Sequence, residues 1–373
     1  MGVDRDQEVR QRRLELVRRH VDVANGRGLE IGPLVNPVVT PDIGPILYAD
    51  HMSTLGLREK YADVPSIDID KIVPVAFVWG SQTLAEAAAD AAPFDHVIAA
   101  HVIEHVPDLV GWLREVAEVL KPGGRLCLVV PDRRLTFDVR RRRSDLAEVV
   151  EAHLLHLRRP SVRAIFDYFS RSIEVDTAAL WRGSKAYDEN IPSNLAQGWA
   201  HARRAARTDE YVDTHCWVFS DADFVDLMGQ LMRLDLLDYR FAGFEPSPVG
   251  ELEFFAVLER LDPGLSPADR LSAFLDSVPS GDSMAVVPTP REPFDLVGTG
   301  GGMLSRREMR LIERKRVTTA RASALWRALG PRPIDRMTLW SDTLSKREQV
   351  LIERKRTTMA WVRRRRQRAP QDP

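Results

Sequence analysis

Between residues 28 and 132 short apolar runs alternate with amphipathic stretches of helical length, and no other feature of the chain restricts its fold so tightly. "GLEIG" (28–32), "ILYAD" (46–50), "PVAFVWG" (74–80), "FDHVIAAH" (94–101) and "RLCLVVPD" (125–132) have the length and composition of buried strands. "LGLREKYAD" (55–63), "QTLAEAAADAA" (82–92) and "DLVGWLREVAEVL" (108–120) read as helices between them. The last is stopped by Lys121-Pro122-Gly123-Gly124. Short apolar strands separated by helices pair in parallel, with helices over both sheet faces. A further amphipathic helix is expected over 6–22, and another over 221–232, capped by Ser220. Strands over 236–243 and 251–260 are expected to pair as a hairpin at one sheet edge. The expected fold is therefore α/β: a Rossmann-like, seven-stranded, mostly parallel sheet, complete near residue 262.

Open sheets of this kind bind ligands beyond the carboxyl ends of their strands. Glu30, Gly32, Asp50, Trp79, Gly80, Ala100, His101 and Asp132 all fall at or just past such ends. The first turn departs from a phosphate-binding loop, because Pro33, Asn36 and Pro37 stand where further glycines would be needed. Residues 133–213 interrupt the strand–helix rhythm and read as a helical insertion or lid. Its "DRRLTFDVRRRR" (132–143) places Arg133, Arg134 and Arg140 to Arg143 near the active edge. Arginines there suit carboxylates or phosphates, or else form a solvated basic helix.

Charge divides the chain in two. Residues 301–373 hold 20 Lys/Arg against 7 Asp/Glu, and residues 1–300 hold 33 against 47. An acidic body is thus followed by a Pro- and Gly-rich linker (263–302) and a basic tail (303–373). The tail repeats itself: "LSRREMRLIERKRVTTA" (304–320) returns as "LSKREQVLIERKRTTMA" (344–360), with 12 of 17 positions identical. Leu304, Leu311 and Ile312, with Leu344, Leu351 and Ile352, make a thin apolar stripe on a helix. Such a stripe rests on an anionic membrane, an acidic partner or a second copy of the chain, or lies solvated. Two cysteines, Cys127 and Cys216, have neither disulfide-framework nor zinc spacing. With a charged N-terminus and no apolar run of spanning length, the chain is expected in the cytoplasm, the tail offering attachment to the inner membrane face.

Four segments in order carry a family resemblance: "LEIG", "YAD", "FDHVIAAHVIEHVPD" and "EVLKPGGRLCLVVPD". Together they resemble the class I S-adenosylmethionine-dependent methyltransferases, type 11 subgroup. The longer run through "PDRRLTFD" resembles members from bacterial glycan and secondary-metabolite gene clusters. The resemblance implies S-adenosylmethionine as cofactor, held by Glu30, Gly32, Pro33, Asp50, His51, Trp79, Gly80, Ala100 and His101, with Asp50 on the ribose hydroxyls. A sulfonium cofactor without phosphates tolerates the departures at Pro33 and Asn36.

The implied reaction is methylation of a hydroxyl on a sugar, glycan or related small molecule. His101 is the first candidate base, His215 the second, and Asp132 could orient either. "HVIEH" matches the zinc-protease pattern H-x-x-E-H, but His101 ends a strand and Pro107 follows soon, so no metal is expected. An inactive, scaffolding methyltransferase fold is the alternative, kept alive by Pro33. A nicotinamide dehydrogenase lacks its Gly-x-Gly-x-x-Gly here. A nucleic-acid substrate is disfavoured by the acidic body.

Overall fold

The computed structural model describes residues 2–80, 82–183 and 194–280. The basic tail, its repeat, and the membrane, partner and self-association expectations attached to it lie outside these residues. So does most of the linker.

Seven strands form one sheet: β1 (Gly28–Ile31), β2 (Ile46–Asp50), β3 (Phe77–Val78), β4 (Phe94–Ala100), β5 (Leu120–Pro131), β6 (Tyr239–Glu245) and β7 (Glu253–Arg260), in the order β3-β2-β1-β4-β5-β7-β6. The first five run parallel, and β7 is antiparallel to both β5 and β6. The expected hairpin therefore forms, but its second strand slots between β5 and the edge strand β6. One consequence governs the site: β7 begins where the parallel strands end, with Glu253 paired to Pro131.

Ten α-helices accompany the sheet in the described residues: α1 (Gly2–Arg18), α2 (Thr54–Tyr61), α3 (Leu84–Ala88), α4 (Leu109–Val119), α5 (Leu146–Leu154), α6 (Val162–Arg171), α7 (Thr177–Trp181), α8 (Leu195–Ala205), α9 (Asp221–Arg233) and α10 (Pro267–Leu275). α4 shows why the pattern was readable. The Asp108 side chain accepts from Gly111 N–H at the N-terminus, and Leu109, Val110, Leu113 and Val116 are fully buried. Each such side chain contributes roughly 1.5–3 kcal/mol by leaving water. Beyond α4, Lys121 to Gly124 bulge out of register between the pairs Phe94↔Leu120 and His96↔Arg125. Gly123 takes the left-handed conformation that the bulge requires (φ 76°).

The two sheet faces carry separate cores. Val97, Ala99, Leu126, Leu128 and Phe254 pack with α4 and α9 on one face. Ile98, Cys127, Val129 and Val257 pack with Leu14 and Val17 of α1 on the other. α5 to α8 fall within the expected insertion. The packed body continues past residue 262, since α10 lays Phe274, 1% exposed, against Phe241 of β6. Among the described residues, no helix is long and apolar enough to cross a membrane.

Candidate active site

The carboxyl ends of β1 and β4 open into a cavity of about 290 Å³ lined by Arg13, Glu30, Ile31, Gly32, Pro33, Asn36, Ala100 and His101. Four residues expected at a cofactor site from strand ends, Glu30, Gly32, Ala100 and His101, thus share one wall with Pro33, which the family resemblance implied. Gly32 is left-handed (φ 66°), and a Cβ there would approach Val102 to 3.0 Å. The glycine turns the chain away from β1 and leaves bare backbone at the cavity. Pro33 lies on the wall and does not close it.

Glu30 is 1% exposed. Its oxygens accept from the backbone N–H groups of Val38 (2.7 Å) and Val39 (3.2 Å). Burial pushes its pKa up to about 7, against the opposing pull of those two hydrogen bonds. Glu30 therefore pins the turn that Pro33 begins, as well as facing the cavity.

Asp50, His51, Trp79 and Gly80 form a neighbouring group at the ends of β2 and β3, joined by Trp79 N–H to Asp50 C=O at 2.8 Å. Asp50 Oδ1 accepts from the His51 backbone N–H (2.7 Å) and lies 2.6 Å from His51 Nδ1. His51 Nε2 meets Lys60 Nζ at 3.2 Å. Among the described residues Oδ2 of Asp50 takes no hydrogen bond, so one carboxylate oxygen is held and the other offered. The Trp79 indole donates to Glu115 (2.8 Å) and stacks on Trp112, with centroids 6.0 Å apart. One side of its ring is thereby fixed against α4.

His101 sits at the end of β4 in the left-handed region (φ 55°), a conformation that non-glycine residues keep only when their surroundings hold it. Its N–H donates to Val129 C=O (3.0 Å), and its Nε2 is 2.7 Å from Glu253 Oε2. Glu253 is in turn gripped by Arg13 (2.6 and 3.0 Å) and Arg12 (2.7 Å). Burial alone would raise the Glu253 carboxyl. The hydrogen bonds from His101 and Arg13, with their charges, overcome it and hold that carboxyl well below the usual range. Arg13 and Glu253 escape a search of parallel strand ends. The usable signal is that an antiparallel strand brings its first residue to the same edge.

Two expectations fail. Asp132 is fully buried; Oδ1 accepts from Arg134 N–H and Nε (both 2.9 Å), and Oδ2 from Arg134 Nη2 and Ser247 Oγ (3.0 Å). With both oxygens engaged it anchors the insertion and cannot orient a substrate or base. Nor do the arginines of "DRRLTFDVRRRR" line an anion site as a group. Arg134 also reaches Asp221 (2.6 Å), Arg143 pairs with Asp223 (3.0 Å), and Arg133 donates to Arg141 C=O (3.1 Å). Arg141, 2% exposed, bridges Asp138 and Asp167 (both 2.8 Å). Arg133 and Arg141 brace the insertion from inside, and Arg134 and the exposed Arg143 tie it to α9, so much of the arginine run serves structure.

His215 is buried between Phe137, Tyr168 and His105, with Nδ1 2.6 Å from Asp138 Oδ2. It does not line the cavity. His105 Nδ1 is 2.9 Å from Asp213, and its pKa is raised: burial opposes the proton, while Asp213 and Glu104 favour it more.

Known proteins identify the family. Ubiquinone biosynthesis O-methyltransferase of Xanthomonas oryzae pv. oryzae is 27% identical over 210 residues, 53% of this chain and 78% of that protein. Its namesake from Xanthomonas axonopodis pv. citri is 32% identical with the same coverage. The solved CcbJ methyltransferase of Streptomyces caelestis aligns over 67% of this chain and 94% of its own, at 13% identity and a TM-score of 0.34. Residues 2–231 match the family profile described as a methyltransferase domain. Because that match spans more than half the chain, including the first five strands and the residues around the cavity, the chain belongs to the class I S-adenosylmethionine-dependent methyltransferases.

Proposed function

We propose that this enzyme methylates a hydroxyl oxygen of a small acceptor, with His101 as general base. The observation that carries the reading is the His101–Glu253–Arg13 chain at the cavity wall. The residues present suit S-adenosylmethionine. Asp50 offers a free carboxylate oxygen to a ribose diol, Gly32 offers close backbone approach, and Arg13 on the cavity wall offers a positive charge to the carboxylate of the amino-acid arm. When bound, that cofactor supplies a methyl group already activated on sulfonium.

The chain's own part is orientation and proton removal. The network assigns the His101 tautomer: Nε2–H donates to Glu253, which leaves the lone pair on Nδ1. A proton taken from the acceptor hydroxyl at Nδ1 makes an imidazolium flanked by Glu253 at 2.7 Å and by Glu104 at 3.5 Å. Two carboxylates beside the ring stabilise that charge as it forms. His215, buried behind Phe137, serves another purpose.

The acceptor we put forward is a neutral sugar, glycan or related metabolite hydroxyl. Arg133, Arg134 and Arg141 are buried or half-buried and engaged with protein groups, which favours a neutral acceptor over an anionic one. The names of the curated relatives support oxygen as the methylated atom. Methyl transfer from labelled cofactor to panels of sugars, nucleotide sugars, phenols and amines tests the reading. We expect hydroxyl acceptors alone to be methylated. Transfer confined to amines, or full turnover by His101→Ala, would refute it.

A further inference from the structure

Behind His101 lies a buried carboxylate that no hydrogen bond holds, its Oε1 3.5 Å from His101 Nδ1. Glu104 is 1% exposed, and among the described residues neither of its oxygens has a hydrogen-bond partner. An ionised carboxylate left this way costs several kcal/mol, and buried charges of this kind are paired or hold metal ions. Glu104, His105 and His215 each offer one ligand atom, and those atoms lie within 4.8 Å of one another.

Both imidazoles are arranged as metal ligands usually are. His105 Nδ1 is 2.9 Å from Asp213 Oδ1, and His215 Nδ1 is 2.6 Å from Asp138 Oδ2. A carboxylate on one ring nitrogen fixes the tautomer and frees the other nitrogen as the donor. The rings stand edge to face, 84° apart, with centroids 4.7 Å apart. Asp138 is itself locked by Arg141 at 2.8 Å, so the outer shell of His215 is firmly held.

We propose that Glu104, His105 and His215 bind a divalent transition-metal ion beside the catalytic base. Two imidazoles and one carboxylate suit zinc, cobalt, iron or manganese better than magnesium or calcium, which prefer all-oxygen shells. Three protein ligands leave coordination open, the pattern of catalytic sites. Glu104 Oε1 stands 3.5 Å from His101 Nδ1, where the proposed reaction delivers its proton. An acceptor hydroxyl on such an ion gives up its proton more readily; this role, though not ion binding, rests on the proposed function. The local H-x-x-E-H pattern pointed away from metal because it paired His101 with His105. The cluster instead draws His215 from beyond the insertion.

The test uses the full chain, stripped with chelator and titrated with Co²⁺ by visible absorption, then with Zn²⁺ in competition. We expect one ion per chain. Glu104→Gln should weaken binding at least about tenfold, and Asp213→Asn, which unseats only the outer partner of His105, by about 10- to 100-fold. His153→Gln, at the separate Asp108 contact, should change nothing. No bound ion in the wild type, or equal affinity in Glu104→Gln with an unchanged melting temperature, overturns the site. If Glu104→Gln does not fold, unchanged affinity in Asp213→Asn overturns it. Binding of S-adenosylhomocysteine to the stripped protein is measured in parallel. Cofactor binding without ion binding rejects the metal site alone; ion binding without cofactor binding rejects the proposed reaction alone.

Discussion

The strand ends around the cavity and the insertion after β5 handle charge in opposite ways. Around the cavity, polar groups are held firmly on one side only: Asp50 is held through Oδ1, and His101 through Nε2, its Nδ1 meeting only Glu104 at 3.5 Å. In the insertion the carboxylates and guanidinium groups close on each other, as Asp132 does with Arg134 and Arg141 with Asp138 and Asp167. Half-held groups keep a donor or acceptor for a ligand. Fully paired groups fix geometry, and removing one partner strands the other in a medium that cannot solvate it. The difference teaches that a charged residue at a strand end becomes functional only if its neighbours leave it a free valence.

Paired substitutions can break this contrast. His101→Ala should lower turnover at saturating cofactor by about 10²–10⁴ and leave the melting temperature nearly unchanged. Arg141→Ala should do the reverse. It strips buried Asp138 of its guanidinium and leaves Asp167 with Arg171 alone, at a cost of about 3–5 kcal/mol, roughly 6–20 °C in melting temperature, by thermal denaturation. A stable Arg141→Ala protein, or a His101→Ala protein that fails to fold, would show that the two regions do not divide the work.

Glu30 sharpens the comparison, because it faces the cavity yet is buried like the insertion's acids. Its folded pKa of about 7 lies above its value in the unfolded chain. The folded protein therefore keeps a proton that the unfolded chain releases, and stability falls as pH rises from about 4.5 to about 7. The linkage ceiling is about 3 kcal/mol. Glu30→Gln loses one acceptor bond but also the titration, so its stability should be flatter than the wild type over that window. Urea denaturation at the two ends of the window measures the difference. Parallel curves would mean that Glu30 is ionised and compensated in the folded protein.

The sheet was legible because its strands are continuous apolar runs that nothing but a covered sheet would hide. β3 was overread: only Phe77 and Val78 pair, and Val78 is 40% exposed, since one side of an edge strand lacks a neighbour. Gly32, Asp50 and His101 followed from strand direction alone. Glu253 did not, because its place at the edge depends on β7 running backwards and lying next to β5. Asp132 and Arg141 were misjudged for a common reason. A sequence shows the charge of a side chain but not whether Ser247, Asp138 or Asp167 arrives from elsewhere to meet it.

Asp50 carries the smallest of these effects and the most direct test. If its open oxygen holds the ribose hydroxyls, Asp50→Ala loses charge-assisted hydrogen bonds worth about 1.5–3 kcal/mol, or roughly ten- to a hundredfold in affinity. Calorimetric titration of the full chain with S-adenosylhomocysteine reads this. The account predicts one equivalent bound by the wild type and a ten- to hundredfold weaker isotherm for Asp50→Ala. No heat of binding in the wild type, or identical isotherms for the two proteins, would contradict it.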